Sequence, residues 1–248
     1  MSTYGQIHAR AWNECRLLGV LLELTHLCNY DCFFCYNDRI ERDTALTFEE
    51  YSELLQQLAD MAVLNLTLTG GEPLVHPDFF AIGGRARELG FVIRIKSNGH
   101  LIRGDVAQRL VDEVAPYIIE LSLHGATAAT HDRQTRLAGS FDRLMENIVE
   151  MRKLGLRLKL NCTLTAWNEH EIAAMSDIAE SRGLPVSFNA SVSPKDDGNT
   201  DPLRVAPTPA GLENMARFLA ARHADNRPDD LDAAPVGRRD ACSGTRHH

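Results

Sequence analysis

No run of the 248 residues is apolar for long enough to span a membrane, and Met1 to Cys15 has no apolar core of the kind that directs secretion. The expectation is a cytoplasmic protein with no membrane partner, in a compartment where thiols stay reduced. Positive charge is in short supply as well: 26 Lys and Arg stand against 34 Asp and Glu, a formal net charge of −8. That balance excludes a nucleic-acid binder working through a general basic surface, and leaves room only for a local basic patch. There is no internal repeat beyond an alternation of strand and helix patterns. Glycine, proline and charged residues occur at ordinary frequencies for a globular chain. With 44% apolar residues the sequence can bury a full core, as one large α/β domain or two small ones.

Six cysteines are present, and three of them fall in one short stretch, Cys28-Asn29-Tyr30-Asp31-Cys32-Phe33-Phe34-Cys35. Val20 to Thr25, just before it, reads as a mostly buried strand, so the cysteines leave the C-terminal end of a strand. Three soft thiolates this close suit an iron–sulfur cluster or zinc better than a hard cation. A zinc site could take His26 or the distant Cys242 as fourth ligand, although no second cysteine pair follows at zinc spacing. A disulfide fits poorly with a reduced compartment. A four-iron cluster held by three cysteines keeps one iron free for another ligand. Cys15 and Cys162 have no partner at ligand spacing and read as structural cysteines, each behaving as a small hydrophobe.

The rest of the chain alternates. Residues 1–18 form a mixed lead-in, with Trp12 and Leu17 as its apolar anchors. Thr47 and Glu50 make a capping box that opens a helix carrying Leu54, Leu55, Leu58 and Met61. Strand patterns follow at Leu64–Thr69, Phe91–Lys96, Tyr117–Leu123, Leu156–Asn161 and Val186–Ala190. Helical patterns lie between Pro73 and Gly90, from Asp105 through Val114, from Ser140 to Leu154, from Asn168 to Ser181, and from Pro209 to about Ala221. Six strand–helix units with room for a helix in every crossover imply parallel strands and right-handed connections. Six units are too few for a closed eight-stranded barrel, so the expected α/β fold is a partial (β/α)6 barrel, with an open doubly wound sheet as the alternative. The barrel core is expected over residues 19–222, followed by a linker-like segment over 223–248.

The cysteine stretch, C-x₃-C-x-Φ-C with Phe34 as the aromatic before Cys35, resembles the signature of the radical S-adenosylmethionine (SAM) enzymes. The resemblance implies that Cys28, Cys32 and Cys35 hold one 4Fe–4S cluster and that Phe34 lies against the cofactors. In that family SAM chelates the open iron, and an electron from the cluster cleaves it to a radical that takes a hydrogen atom from the substrate. Gly70-Gly71-Glu72-Pro73, at the end of the second strand, resembles the family's second motif, which binds the SAM amino group. On residues alone it is a tight turn closed by proline. Glycine there also permits close approach of a ligand, with Glu72 offering a carboxylate or a carbonyl. Ser97-Asn98-Gly99 resembles the family's S-N-G turn. Ser122 stands where relatives carry a serine near SAM, with His124 in place of the usual acid. Asp132, Arg133 and Arg136 before Gly139-Ser140-Phe141 resemble an H-D-x-x-R…G-S-F segment. A cationic Arg136, or Arg133, would suit the SAM carboxylate.

Pro194 to Gly198 with Pro202-Leu203 resembles a segment of the branch that modifies peptides or matures proteins, in which a SPASM or twitch domain follows the barrel. Arg239 to Gly244, around Cys242, resembles the start of that domain, so the resemblance implies a truncated auxiliary region holding no second cluster. The implied partners are a peptide or protein substrate and an electron donor of flavodoxin or ferredoxin type. Hydrogen abstraction from a small molecule or a tetrapyrrole is the alternative within enzymes, and a metal-stabilised binding module the alternative outside them.

Overall fold

The computed structural model describes residues 3–38 and 46–225. The expectations placed on Arg239 to Gly244, and most of the linker-like segment, lie outside those residues. Six strands form one sheet: β1 (Gly19–Glu23), β2 (Asn65–Thr69), β3 (Val92–Ser97), β4 (Ile118–Ser122), β5 (Leu158–Thr163) and β6 (Val186–Asn189). All five pairings are parallel and the spatial order is the sequence order.

That order decides between the two expected architectures. A doubly wound sheet reverses its winding partway and buries both faces. Here every crossover leads to the next strand along, and right-handed crossovers in one direction put every helix on the same face. The helix-facing side is apolar: Leu66, Leu68, Ile93, Ile95, Ile119, Leu121, Leu158, Leu160 and Cys162 are all buried in one core. The opposite face is polar. Arg94 Nη2 reaches Glu120 Oε1 at 2.6 Å, Asn161 Nδ2 donates to Glu120 Oε2 at 2.6 Å, and Ser187 donates to Asn161 Oδ1. A polar chain across four adjacent strands belongs to the inside of a partial barrel, which is the fold.

Around it run α1 (Thr3–Asn13), α2 (Phe48–Asp60), α3 (Phe79–Glu88), α4 (Gly104–Arg109), α5 (Ala128–Thr135), α6 (Ser140–Lys153), α7 (Ile172–Glu180) and α8 (Pro209–Asp225). None of the described helices is long and apolar enough to cross a membrane. The capping box at α2 forms as its residue types require: Glu50 N donates to Thr47 Oγ1, and Thr47 N donates to Glu50 Oε2 at 2.8 Å.

Two expectations are corrected. Trp12 is 79% exposed and Leu17 44% exposed, so neither anchors the lead-in; among the α1 residues whose side chains are described, Ala11 is the buried one. Cys15 is exposed in a left-handed turn, unlike Cys162, which is buried as expected. The helix expected from Asp105 through Val114 is present, as α4 running on into a wider π turn over Leu110–Val114; α5 is a helix the sequence pattern did not separate.

The Arg94–Glu120 pair yields a stability prediction. Burial works against the Glu120 charge, but hydrogen bonds from Arg94 and Asn161, with the charges of Arg94 and Lys96, outweigh it and hold the carboxyl below its usual range. Arg94→Met leaves that carboxylate inside the barrel without its cation, a loss of about 3 kcal/mol for a largely buried pair. The urea midpoint should fall at unchanged slope, and adding Glu120→Gln should return most of the loss. An unchanged midpoint in the single variant would show the pair to be solvated.

Candidate metal centre

The cysteine loop leaves β1 directly. Leu24 N still donates to Thr69 O at 2.8 Å, after which the chain turns away from the sheet. A tight turn brings Cys35 N to Cys32 O at 3.1 Å, and Tyr30 N lies 3.4 Å from Cys28 Sγ. The far side of the loop docks on the end of α5: Asp31 N donates to Thr135 O at 3.2 Å and Phe33 N to Gln134 O at 3.1 Å. These carbonyls are the ones a helix terminus leaves without an internal partner. The stretch from His131 to Arg136 is thus the end of a helix that carries the cysteine loop.

Cys28, Cys32 and Cys35 carry no disulfide, which removes that alternative. Burial pushes the Cys32 thiol well above its usual range, and the charges of Cys35 and Cys28 push it further. Three thiolates held together here need a shared cation to be stable. The donor set, three soft thiolates on one short loop, fits an iron–sulfur cluster chemically.

The glycine-rich turn lies against this loop. Gly71 N donates to Thr25 O at 2.7 Å and Glu72 N to Leu27 O at 2.9 Å. A Cβ on Gly70 would stand 2.4 Å from Thr25 O, and one on Gly71 2.3 Å from Leu27 O; Gly70 also has φ +146°. The close approach that these glycines permit is that of the cysteine loop's own backbone. Glu72 is buried and spends both carboxylate oxygens inside the protein. Ser97 Oγ donates to Oε1 at 2.9 Å, Leu74 N to Oε1 at 3.2 Å, and Asn98 N to Oε2 at 2.8 Å. Burial raises its pKa to about 7 in spite of those donors.

Glu72 therefore ties the end of β2 to the end of β3, where Gly99 N returns to Ser97 Oγ at 2.9 Å. The Asn98 side chain reaches the cysteine loop, with Nδ2 2.7 Å from Asn29 Oδ1 and 3.9 Å from Cys28 Sγ. Tyr30 of the loop meets His100 at 3.3 Å, and Tyr36 donates to Glu23 at 2.5 Å.

Ser122 ends β4 in register with Asn161, on the polar face beside Glu120. Phe34 sets its ring against the edge of His124, centroids 4.7 Å apart, and His124 stacks on His131 at 5.9 Å. Both histidines are buried, and burial lowers their pKa values to about 3 and about 4, so both are neutral. Arg136 closes α5 in a left-handed conformation and pairs with Asp31 at 3.2 Å, its guanidinium 4.9 Å from the Phe33 ring centre. Arg133 lies over Trp167 at 3.9 Å. Asp132 caps α6, accepting from Gly139 N, Ser140 Oγ and Phe141 N at 2.6–2.9 Å.

The structure thus gathers Cys28, Cys32, Cys35, Gly70, Gly71, Glu72, Ser97 and Asn98 into one hydrogen-bonded unit. Phe34 and Arg136 pack on its rim, and Ser122 stands on the barrel wall. The sequence reading passed over the wall itself, meaning Arg94, Lys96, Glu120, Asn161 and Ser187. Its signal was present as polar residues at every second position of otherwise apolar strands.

A partial (β/α)6 barrel whose first strand ends in a three-cysteine loop, with glycine-rich turns from the next two strands packed against it, defines a cluster-binding barrel. The particular family follows from sequence: residues 22–179 match the radical SAM superfamily, and the chain belongs to it. It is 30% identical over 217 residues to a PqqA peptide cyclase of Streptomyces rochei, covering 84% of this chain and 57% of that protein. It is 29% identical over 163 residues to AdoMet-dependent heme synthase of Methanosarcina barkeri, covering 65% and 46%. The crystal structure of Streptococcus suis SuiB bound to S-adenosylmethionine has the same fold, with TM-score 0.70 at 18% identity over 88% of this chain and 51% of that one. The chain spans about half the length of the curated relatives it matches.

Proposed function

We propose that this barrel is the catalytic core of a radical SAM enzyme that acts on a ribosomally made peptide or a protein. The observation carrying the reading is the set of three cysteines on one loop, with Cys28 and Cys35 acting electrostatically on Cys32, at the mouth of a polar-walled barrel. When bound, the cluster supplies the electron that cleaves SAM and so starts hydrogen-atom abstraction from the substrate. The chain's own part is to bind and orient. Cys28, Cys32 and Cys35 hold the cluster, and Phe34 covers it. Gly70, Gly71 and Glu72 offer backbone groups to SAM, while Ser97, Asn98 and Ser122 line the rest of its site. Arg136 gives one guanidinium nitrogen to Asp31 and keeps other N–H donors with which to meet the SAM carboxylate.

Residues 19–222 form the core in this reading, with a linker-like segment after them. The enzyme works in the reducing cytoplasm, with a flavodoxin or ferredoxin as donor. The peptide assignment is supported by the peptide-cyclase relative, which matches more of the chain than the heme-synthase relative does. The latter supports a tetrapyrrole or other small molecule as the second reading. Incubating the reduced enzyme with SAM and either a peptide encoded beside it or iron-coproporphyrin separates the two.

The test of the core is the electron paramagnetic resonance spectrum of the anaerobically reconstituted, reduced protein with and without SAM. A four-iron signal that changes shape with SAM is expected, and it should be absent in Cys32→Ala. One zinc per chain with no iron signal would sink the reading.

A further inference from the structure

We propose that Asn98 is a positioning residue that sets the reduction potential of the cluster, by donating a side-chain N–H to the Cys28 sulfur. The inference rests on the cluster assignment above and goes beyond it, because it gives Asn98 a task directed at the cluster and not only at SAM.

The orientation of the Asn98 amide is fixed by its neighbours. Its Oδ1 accepts from His100 N at 3.0 Å, so its Nδ2 must face the cysteine loop. A primary amide has two N–H donors. One points to Asn29 Oδ1 at 2.7 Å, and the other is directed toward Cys28 Sγ at 3.9 Å. Flipping the amide would deprive His100 N of its acceptor and turn an oxygen toward both Asn29 Oδ1 and a thiolate. The backbone is held equally firmly, since Asn98 N donates to the buried Glu72 carboxylate, which also takes Ser97 Oγ. Asn98 is itself buried.

Metal binding strengthens the contact. As a thiol, Cys28 lies 3.9 Å from Asn29 Oδ1 and can donate to it. As a ligand it has lost that proton and can only accept, from Asn98 Nδ2 and from Tyr30 N at 3.4 Å. An N–H aimed at a cluster thiolate stabilises the reduced cluster more than the oxidised one, because reduction adds negative charge to the sulfurs. Asn98 therefore makes the cluster easier to reduce.

The experiment is a potentiometric titration, read by paramagnetic resonance, of the reconstituted full chain as wild type, Asn98→Leu and Asn98→Asp. Leucine keeps the volume without the donor. Aspartate keeps the acceptor for His100 N and replaces the donor by a negative charge. With equal iron per chain, the Asn98→Leu midpoint should fall by about 59 mV, a tenfold loss in a one-electron equilibrium, and Asn98→Asp should fall further. Equal midpoints in wild type and Asn98→Leu overturn the proposal and leave the cluster assignment standing. A wild-type chain that takes up no four-iron cluster overturns both. If the variants fail to load, ¹⁵N-asparagine labelling in an Asn29→Ser background decides by pulsed resonance. Hyperfine coupling from a side-chain nitrogen to the reduced cluster upholds the proposal, and none refutes it.

Discussion

Gly71→Ala is expected to leave a folded barrel that no longer takes up iron. The added Cβ would lie 2.3 Å from Leu27 O and 2.7 Å from His26 O. Both are backbone atoms, so no side-chain rotation relieves the overlap, and one loop must move. Moving the cysteine loop breaks Gly71 N to Thr25 O and Glu72 N to Leu27 O, each worth about 1 kcal/mol net. The strain is local, because the core residues of β1 and β2 are untouched. The ligand loop pays for it by losing the position that brings three sulfurs to one cluster. Gly84→Ala is the control: its nearest atom would be 3.9 Å away, and alanine in a helix is better than glycine by about 1 kcal/mol. Iron and sulfide per chain after anaerobic reconstitution, with circular dichroism for the fold, measure the effect. Gly71→Ala should bind less than a tenth of the wild-type iron, and Gly84→Ala the full amount. Wild-type iron in Gly71→Ala would mean that the two loops can separate without consequence.

The second large effect is acid destabilisation from the stacked pair His124 and His131. Their folded pKa values are lowered by burial to about 3 and about 4. In the unfolded chain both return to about 6.5. Between those limits the unfolded state binds more protons, so the stability due to keeping the rings neutral is complete above about pH 6.5 and is lost as pH falls toward 4. At pH 5 each ring accounts for about 2 kcal/mol, and the pair for about 4. Glu72 acts in the opposite sense. Its folded pKa near 7 exceeds the unfolded value, so acidification relieves its buried charge. Comparing wild type with His131→Gln cancels that contribution, since Glu72 is common to both. Glutamine also retains an acceptor for His124 N, which donates to His131 Nδ1 at 3.1 Å. Urea unfolding from pH 7 to 5 should fall more steeply for wild type, by about 2 kcal/mol over the range. Parallel pH profiles would show that His131 is protonated in the native state.

The barrel was legible because its signals are local. Thr47 and Glu50 are three residues apart and meet in one helical turn, and the period of two in Leu66, Leu68 and Ile93, Ile95 requires only the strand itself. The three cysteines were legible for the same reason. The way the Glu72 carboxylate is used was not, because two of the three groups that claim it lie 25 and 26 positions away, at the end of another strand. Arg136 finds Asp31 across 105 positions. Trp12 misled because apolar character states only what burial would gain, not whether a neighbour is there to provide it. His124, met as a departure from an acidic position, is explained by its surroundings: a buried site facing Phe34 and His131 accepts a neutral ring more readily than a carboxylate.

Pairing between sequence neighbours alone has a consequence for the order of events on the ribosome. Each new strand can dock on the one made just before it, without waiting for a distant segment. The cysteine loop emerges first, but its supports follow in sequence: the turn at Gly70 to Glu72, then Asn98, and last the carbonyls of Gln134 and Thr135 at the end of α5. The nascent chain must therefore extend past Thr135 before its three thiols are braced on both sides. Cluster delivery belongs after that point in synthesis, when the first four strands of the barrel already exist.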